Sequence, residues 1–422
     1  MSFPEIPTET LENIIAFLWS DRESLLGCSL VSHRWHSAAR PLVFRSVAVK
    51  NKNRLDELED LLSREPIVGW WIKSVFIDTS RTGTWMMDIH SNGGSFDVVP
   101  RPVLVERLKK LRSLKFKGLL GLDLRNELSA VFLQSIIQSF PSSVESLTLI
   151  DCRGHDGFFL ALMHSFPRLR ALQSIRMRTN TYLVSAGLSR EVLDDFHRAH
   201  IPFFTSCTTD RVPQTPHPVL GLTSLKLDGT DFKRSKANVV CLRSLRSLHT
   251  LEIRHSGDPL DTLDDLLLRI LPECGSTLRT FILCVELLPS LYEEDFLPEV
   301  WPPGFNQLKN LRSLELALNP PDHPLVVSLL AACQTTCSKL TALSFGVSFK
   351  ELSAFELQAT VDRALQTFPC QSVTVKEVHS KYCDGTLREE TIRVWWAKTF
   401  PPSTLAREEG GQRVALEVKV HS

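Results

Sequence analysis

The feature that most constrains the fold is a short apolar string that recurs along most of the chain. In each copy an apolar residue stands at positions 1, 4 and 6, as in Leu222-Thr-Ser-Leu-Lys-Leu. Positions 4 and 6 have the period of a strand with one buried face. The copies begin, about 26 to 50 residues apart, at Ile72, Leu111, Val144, Leu172, Leu222, Leu248, Leu278, Leu311 and Leu340.

Helical patterns fill the gaps between the strings, so each copy predicts one strand and one helix. These patterns span Arg54–Leu62, Asn126–Phe140, Gly157–Phe166, Asp261–Leu271, Pro324–Cys333 and Glu351–Phe368. One strand and one helix cannot bury their apolar sides alone, so neighbouring copies must stack. The spacing near thirty residues and the L-x-x-L-x-L core resemble leucine-rich repeats. The resemblance implies an α/β fold, a curved solenoid with a parallel sheet on its concave face.

An ordinary α/β domain with a doubly wound sheet is the alternative. No glycine-rich phosphate loop follows any strand, and the strings are highly repetitive, which favours the solenoid. At the C-terminal end, Ser372–Val378 predicts a strand, Thr391–Lys398 a closing helix and Arg413–Val420 a final strand. Two stretches, 80–101 and 179–221, interrupt the repeat rhythm, and such long loops either bind partners or are disordered.

The N-terminal segment, residues 6–44, follows a different pattern of three short helices. Leu11, Ile14, Ile15 and Leu18 form the apolar stripe of the first helix, which Thr8 is expected to cap. A capping box at 20–23 begins the second helix, and Ser32 is expected to cap the third. A unit of this size has a small core, so its surplus apolar side chains must face either another chain or the next domain.

This segment resembles the F-box, in the form common in fungal proteins. The residues that match are Pro7, Leu11, Glu12, Ile14, Ile15, Leu18, Leu25, Leu26, Cys28, Ser29, Leu30, Val31, Ser32, Trp35, Ala39, Pro41, Leu42 and Phe44. Ile6 departs from the family's usual Leu. The resemblance covers about a tenth of the 422 residues. It divides the chain into an F-box domain, 1–45, and a repeat body, 46–422.

The F-box resemblance implies binding to the Skp adaptor of SCF (cullin–RING) ubiquitin ligases, and through it to the cullin and RING subunits. It implies that the adaptor-facing residues are among Pro7, Leu11, Ile14, Ile15, Leu18, Leu25, Leu26, Val31 and Trp35. The sequence leaves open which of these face the adaptor and which form the internal core. The repeat body would then hold a target protein.

The concave surface of the predicted solenoid is the candidate surface for that target, and we call it the outer face of the sheet because its side chains point away from the core. The third, fifth and seventh residues of each string should point away from the core. The charged residues at these positions, basic in the early copies and mixed later, are Lys115, Lys117, Arg176, Arg178, Lys226, Glu252, Arg254 and Glu315. Such a face suits an acidic or phosphorylated peptide. A merely solvated sheet face is the alternative.

Composition excludes several classes of partner. Lys plus Arg and Asp plus Glu both total 48, so no bulk charge draws the chain to nucleic acid or to anionic lipid. No stretch approaches the roughly 18 consecutive apolar residues of a membrane-spanning helix, and no signal peptide is expected. The ten cysteines are scattered in apolar contexts, which favours a reducing compartment, the cytosol or nucleus.

Catalytic motifs are missing from the sequence. It contains no G-x-S-x-G, no P-loop and no dinucleotide fingerprint. His197 and His200 lack a third metal ligand, and Cys333 and Cys337 lack a second pair. We therefore expect no enzyme activity, metal or cofactor. The sequence predicts a ligase substrate receptor; the alternatives are a repeat scaffold whose N-terminal helices only cap it, and an enzyme that needs a bound metal.

Overall fold

The computed structural model describes the N-terminal quarter of the chain almost continuously and the rest mainly at its strands. The described residues are 6–19, 21–79, 88–89, 96–97, 102–121, 140–154, 162, 166–179, 221–229, 245–256, 267, 270–286, 305, 307–319, 336–347, 372–377 and 413–417. By contacts the chain divides into two units, Met1–Leu220 and Gly221–Ser422.

Three helices lead the first unit: α1 (Thr8–Ala16), α2 (Arg22–Ser29) and α3 (His33–Val43). The Ser32 hydroxyl accepts the amide of Trp35 at 3.4 Å, as predicted for the cap of α3. The predicted Thr8 cap is wrong. Thr8 already lies inside α1, because Pro7 is the residue that precedes the helix, and its Oγ1 accepts a hydrogen bond from Arg34 at 3.3 Å.

The cap of α2 is Asp21 rather than the predicted capping box. Its carboxylate accepts hydrogen bonds from the amide of Ser24 at 3.1 Å and from the Ser24 hydroxyl at 2.6 Å. These two bonds, the hydroxyl bond first, hold the pKa of Asp21 below its ordinary value because they favour the charged carboxylate.

The remaining described elements of the first unit are short strands and three further helices. They are β1 (Ser46–Val49), α4 (Lys52–Arg64), α5 (Val68–Trp71), β2 (Ser74–Asp78), β3 (Asp88–Ile89), β4 (Phe96–Asp97), α6 (Pro102–Arg107), β5 (Ser113–Lys117), β6 (Leu120–Gly121), β7 (Ser146–Ile150), β8 (Arg153–Gly154), β9 (Ala171–Ile175) and β10 (Arg178–Thr179). Helix α4 contains the predicted 54–62 helix, whereas α5 and α6 were not predicted.

The main sheet of the first unit is parallel and follows chain order, β1-β2-β5-β7-β9. Its strands are in register without a slip, so that Ser74 pairs with Ser113 and Ser113 with Ser146. Positions 1, 4 and 6 of the string are buried as predicted; Leu111, Leu114 and Phe116 are all inaccessible to solvent. In the predicted loop 80–101, β3 and β4 form an antiparallel pair.

The second unit continues the same pattern with longer strands. They are β11 (Ser224–Asp228), β12 (Thr250–Ser256), β13 (Thr280–Glu286), β14 (Ser313–Asn319), β15 (Ala342–Val347), β16 (Ser372–Glu377) and β17 (Arg413–Glu417). These strands are parallel and lie side by side in chain order. The last two match the strands predicted at the C-terminal end.

The predicted frame of the fourth string is wrong by three residues. Ala171, not Ser174, pairs with Ser146 of β7, so the string in register is Leu169-Arg-Ala-Leu-Gln-Ser174. Ser174 occupies the position 6 that is apolar elsewhere, and it is buried. Because Ser174 stands where the string has an apolar residue, the stretch that starts at Leu172 matched the apolar positions of the string better than the stretch in register does.

A left-handed residue follows four of the strands immediately. Gly118, Asp151, Arg176 and Gly229 have φ values of 71°, 51°, 50° and 56° and follow β5, β7, β9 and β11. This conformation turns the chain out of the main sheet. In the first unit it leads to β6, β8 and β10, which pair in parallel as a second, three-stranded sheet.

Several predictions fall on parts of the chain that are not described. The helix predicted at 391–398 and most of the helices predicted between the later strands lie outside the described residues, as does nearly all of the 179–221 stretch. Residues 270–274 are helical, within and just after the predicted 261–271 helix. None of the helices among the described residues is long and apolar enough to cross a membrane.

Candidate functional site

The three N-terminal helices bury a small core of their own. Leu11, Ile15, Leu25 and Ala39 are at most 2% exposed. Leu18 and Trp35 pack against this cluster and are partly buried. Leu11, Ile15 and Leu25 were predicted as candidates for adaptor contact. The structure places these three in the internal core, which is one of the two places that the sequence left open for them.

The same helices leave an unusually large apolar surface in contact with solvent. Leu30 is 87% exposed and Phe17 is 85% exposed. We call the exposed set the apolar surface: Ile6, Ile14, Phe17, Trp19, Leu26, Leu30 and Val31. Elsewhere among the described residues, Ile67 and Trp70 are the large apolar side chains with comparable exposure. A concentration of this kind marks an interaction site in a folded protein.

Of the predicted adaptor residues, Pro7, Ile14, Leu26 and Val31 are exposed and could reach a partner. Four members of the apolar surface, Ile6, Phe17, Trp19 and Leu30, were absent from the predicted set. A signal for Phe17 existed, since it lies outside the predicted apolar stripe of α1, from which Leu11 and Ile15 enter the core. Apolar residues of α1 that lie off that stripe point away from the other two helices.

The third helix is fixed to the sheet that follows it. The ring of Phe44 stacks on Trp71 of α5 with centroids 6.5 Å apart. The Arg40 guanidinium lies 5.9 Å from the Phe44 centroid and 5.6 Å from that of Trp71, and it also pairs with Glu65. Only Arg45 separates the α3 cap from β1. The helices are therefore held on the first repeat.

The outer face of the sheet in the first unit carries fewer free cations than predicted. Lys115 lies on β5 with its Nζ 5.4 Å from the Phe76 ring, and Lys117 follows two residues on along the same face. Arg176 is not on this face. It lies in the turn after β9, where its Nε contacts the Asp151 carboxylate at 2.7 Å. Arg178 belongs to β10 of the three-stranded sheet, so its predicted place is also wrong.

The outer face of the second unit brings three predicted residues together. Lys226 Nζ and Arg254 Nε each lie 2.7 Å from Oε1 of Glu252. Burial alone would raise the pKa of Glu252, but the hydrogen bonds from both cations outweigh it and lower the pKa below 4.5. Glu315 is half-buried on β14, in register with Ile282 of the neighbouring strand. This face is largely charge-compensated.

Three of the described cysteines, Cys152, Cys274 and Cys284, offer no reactive thiolate. Burial is the main cause that raises the pKa of Cys152, Cys274 and Cys284 to about 12 in each case. A thiol with such a pKa stays protonated at neutral pH and is a poor nucleophile. In the described part of the chain, no group of three or more His, Cys, Asp or Glu residues is placed to hold a metal ion.

Comparison with known proteins identifies the N-terminal segment. A family model described as F-box-like matches residues 3–50, which include α1, α2, α3 and the whole apolar surface. The chain therefore carries an F-box-like domain, and F-box domains generally bind Skp adaptors. A comparison with curated proteins finds no similar sequence.

Proposed function

We propose that this protein is the substrate-recognition subunit of an SCF ubiquitin ligase. The observation that carries the proposal is the apolar surface, whose members all lie within the F-box-like residues 3–50. Large apolar side chains exposed to water are unfavourable unless another protein covers them, so their presence on a small helical unit indicates a binding surface. The partner is a Skp adaptor, through which cullin and RING subunits would join.

We also propose that the repeated strands belong to leucine-rich repeats stacked as a solenoid. Two observations support this reading. Within each unit the main strands lie in chain order without the reversal that a doubly wound sheet requires. The string positions 1, 4 and 6 repeat as buried residues from one strand to the next.

In this account the protein carries out no covalent step. The helices hold the adaptor, and the outer face of the sheet in the first unit, which carries Lys115 and Lys117, contributes to the surface that holds a target protein. Because α3 is fixed on the first repeat, the target is held at a defined distance from the E2 enzyme of the ligase. The contribution is proximity. Such ligases work in the cytosol and nucleus, where we place this protein.

Adaptor binding by matched variants tests the proposal. Phe17→Asp with Leu30→Asp places charges on two fully exposed positions, so the helices should still fold while a purified Skp adaptor no longer binds. Ile67→Asp makes the same kind of change at an exposed apolar residue outside the F-box-like domain. Calorimetric titration should show wild-type affinity for Ile67→Asp. Equal affinity in all three proteins would remove the proposal.

A repeat scaffold without a ligase role is the second candidate. The packing of Arg40 and Phe44 on Trp71 favours it, since it gives the helices a capping role. It predicts that deletion of residues 1–45 unfolds the first unit and that no Skp adaptor binds the intact protein. The ligase proposal shares the first expectation but not the second.

A further inference from the structure

A second charged surface lies at the end of the first sheet where the strands begin. Arg45, Lys73 and Arg112 immediately precede β1, β2 and β5, and these three strands are in register. Equivalent positions on neighbouring strands are about 4.8 Å apart, and their side chains leave the same side of the sheet. Three basic residues are therefore neighbours along this end of the sheet, and the Arg45 guanidinium also lies 5.8 Å from the centroid of the Trp19 ring.

The backbone fixes these positions. The amides of Lys73 and Ser74 both donate to the Arg45 carbonyl, at 2.9 and 3.1 Å. One strand further on, the amides of Arg112 and Ser113 both donate to the Lys73 carbonyl at 2.9 Å. The backbone at Arg45 and at Lys73 is therefore fixed, because each of these carbonyls accepts two amide hydrogen bonds.

An exposed aromatic residue lies beside the cations. Lys110 Nζ is 4.6 Å from the centroid of the Trp70 ring, and Trp70 is 50% exposed. The turn that carries Trp70 is held against α6, since a Cβ at Gly69 would stand 2.4 Å from the Arg107 carbonyl oxygen. We call Arg45, Lys73, Lys110 and Arg112, together with Trp70, the basic edge.

The same row of residues continues with one acidic side chain, since Glu145 immediately precedes β7 and its amide donates to the Arg112 carbonyl at 2.8 Å. Among the described residues none of the four cations of the basic edge forms an ion pair. Lys73 Nζ donates to the Trp70 carbonyl at 2.9 Å. Burial, and after it the charges of Lys110, Arg112 and Arg45, lower the pKa of Lys73 from 10.5.

The contrast with the outer face of the sheet is direct. There Glu252 already neutralises Lys226 and Arg254. A bound anion would have to compete with that carboxylate. At the basic edge it would relieve repulsion between cations instead.

We infer that the basic edge docks an acidic or phosphorylated peptide segment of a partner protein. Carboxylate or phosphate groups would pair with Arg112, Arg45 and the two lysines, while Trp70 and the exposed Ile67 offer apolar contact to the same segment. A polynucleotide fits less well, because the edge is only a few strands wide and the chain has no net charge to attract a long polyanion.

This inference does not rest on adaptor binding, so the two can fail separately. The test measures fluorescence anisotropy of the full chain with labelled peptides of equal length: oligoglutamate, a phosphoserine peptide and oligoglutamine. The variant Lys110→Gln with Arg112→Gln changes exposed residues of the edge. Its matched control, Arg54→Gln with Arg64→Gln, removes the same charge from α4 in the same unit.

We expect an anionic peptide to bind more tightly than oligoglutamine, and the edge variant to weaken it by roughly tenfold while the control stays at wild-type affinity. The tighter of the two anionic peptides identifies carboxylate or phosphate as the ligand. Trp70→Ala should weaken the same peptide without any change of charge. Equal binding of charged and neutral peptides would overturn the inference, as would equal losses in edge variant and control. A single-stranded oligonucleotide that outcompetes both anionic peptides and depends on Lys110 and Arg112 would also overturn it.

Discussion

Neighbouring residues of the N-terminal helices have opposite environments. Ile15 is fully buried while Ile14 is 42% exposed, and Leu25 is 1% exposed while Leu26 is 44% exposed. The first member of each pair stabilises the domain, and the second is available to a partner. Helix geometry alone separates them, since successive residues point about 100° apart around the axis.

Substitution of the two leucines should separate stability from binding. Leu25→Ala leaves a cavity in the small core and should lower the free energy of unfolding by about 2 to 4 kcal/mol. Leu26→Ala should change it by no more than about 0.5 kcal/mol, because the side chain is largely in water, yet weaken adaptor binding. Urea unfolding and calorimetric titration measure the two effects. Equal destabilisation would contradict the placement of Leu26.

Glu252 makes the stability of the folded protein depend on pH, in a direction that its lowered pKa defines. Its pKa is lowered from 4.5 in the folded state, so its contribution to stability is present above pH 4.5 and is lost as the pH falls through the lowered value. Glu252→Gln should therefore be less stable than wild type at neutral pH, and the gap should close in acid. Denaturant unfolding over a pH series would show this; a gap that is independent of pH would contradict it.

At the scale of elements, the sequence predicted strands better than it predicted which residues they present. The string fixes where apolar residues enter the core, so β2, β5 and β7 begin within two residues of the expected places. It failed at β9 because Ser174 is a buried polar residue, and there no apolar signal marks the frame. In the first helix the helical spacing of apolar residues identified Leu11 and Ile15. That spacing could not tell a core residue from an exposed one such as Ile14.

The corrected frame of β9 makes a testable difference at Arg176. Its φ of 50° is a conformation that glycine adopts without strain, so Arg176→Gly should leave stability unchanged or raise it by up to about 1 kcal/mol. Lys115→Gly, inside β5, should lower stability by about 1 kcal/mol. Thermal unfolding compares them. A loss at Arg176 as large as that at Lys115 would favour the frame first predicted.

The junction between α3 and the first repeat depends on one member of a tryptophan pair. Trp71 stacks on Phe44, whereas its neighbour Trp70 is half exposed. Trp71→Ala should destabilise the first unit by about 1 to 3 kcal/mol and increase amide hydrogen exchange in α3. Trp70→Ala should leave exchange in α3 as it is in wild type. Identical exchange in both variants would show that the stacked pair does not hold the helices.

At the scale of the whole molecule, three surfaces have different charge and polarity. The apolar surface lies on the F-box-like helices, the outer face of the sheet is largely charge-compensated, and the basic edge is not. Composition could not reveal these differences, because equal numbers of acidic and basic residues give a net charge of zero whatever their arrangement. The difference between the outer face and the basic edge arises when parallel register places equivalent residues of successive strands side by side, whereas the apolar surface belongs to the helices.

The central claim is that the N-terminal helices bind a Skp adaptor as part of a ligase. Co-expression of the full chain with a Skp adaptor, followed by size-exclusion chromatography, tests it most directly. We predict one peak that contains both proteins in equal amounts, and its loss with Phe17→Asp and Leu30→Asp. Two separate peaks with a folded full-length chain would contradict the account and leave a repeat protein whose helices serve only as a cap.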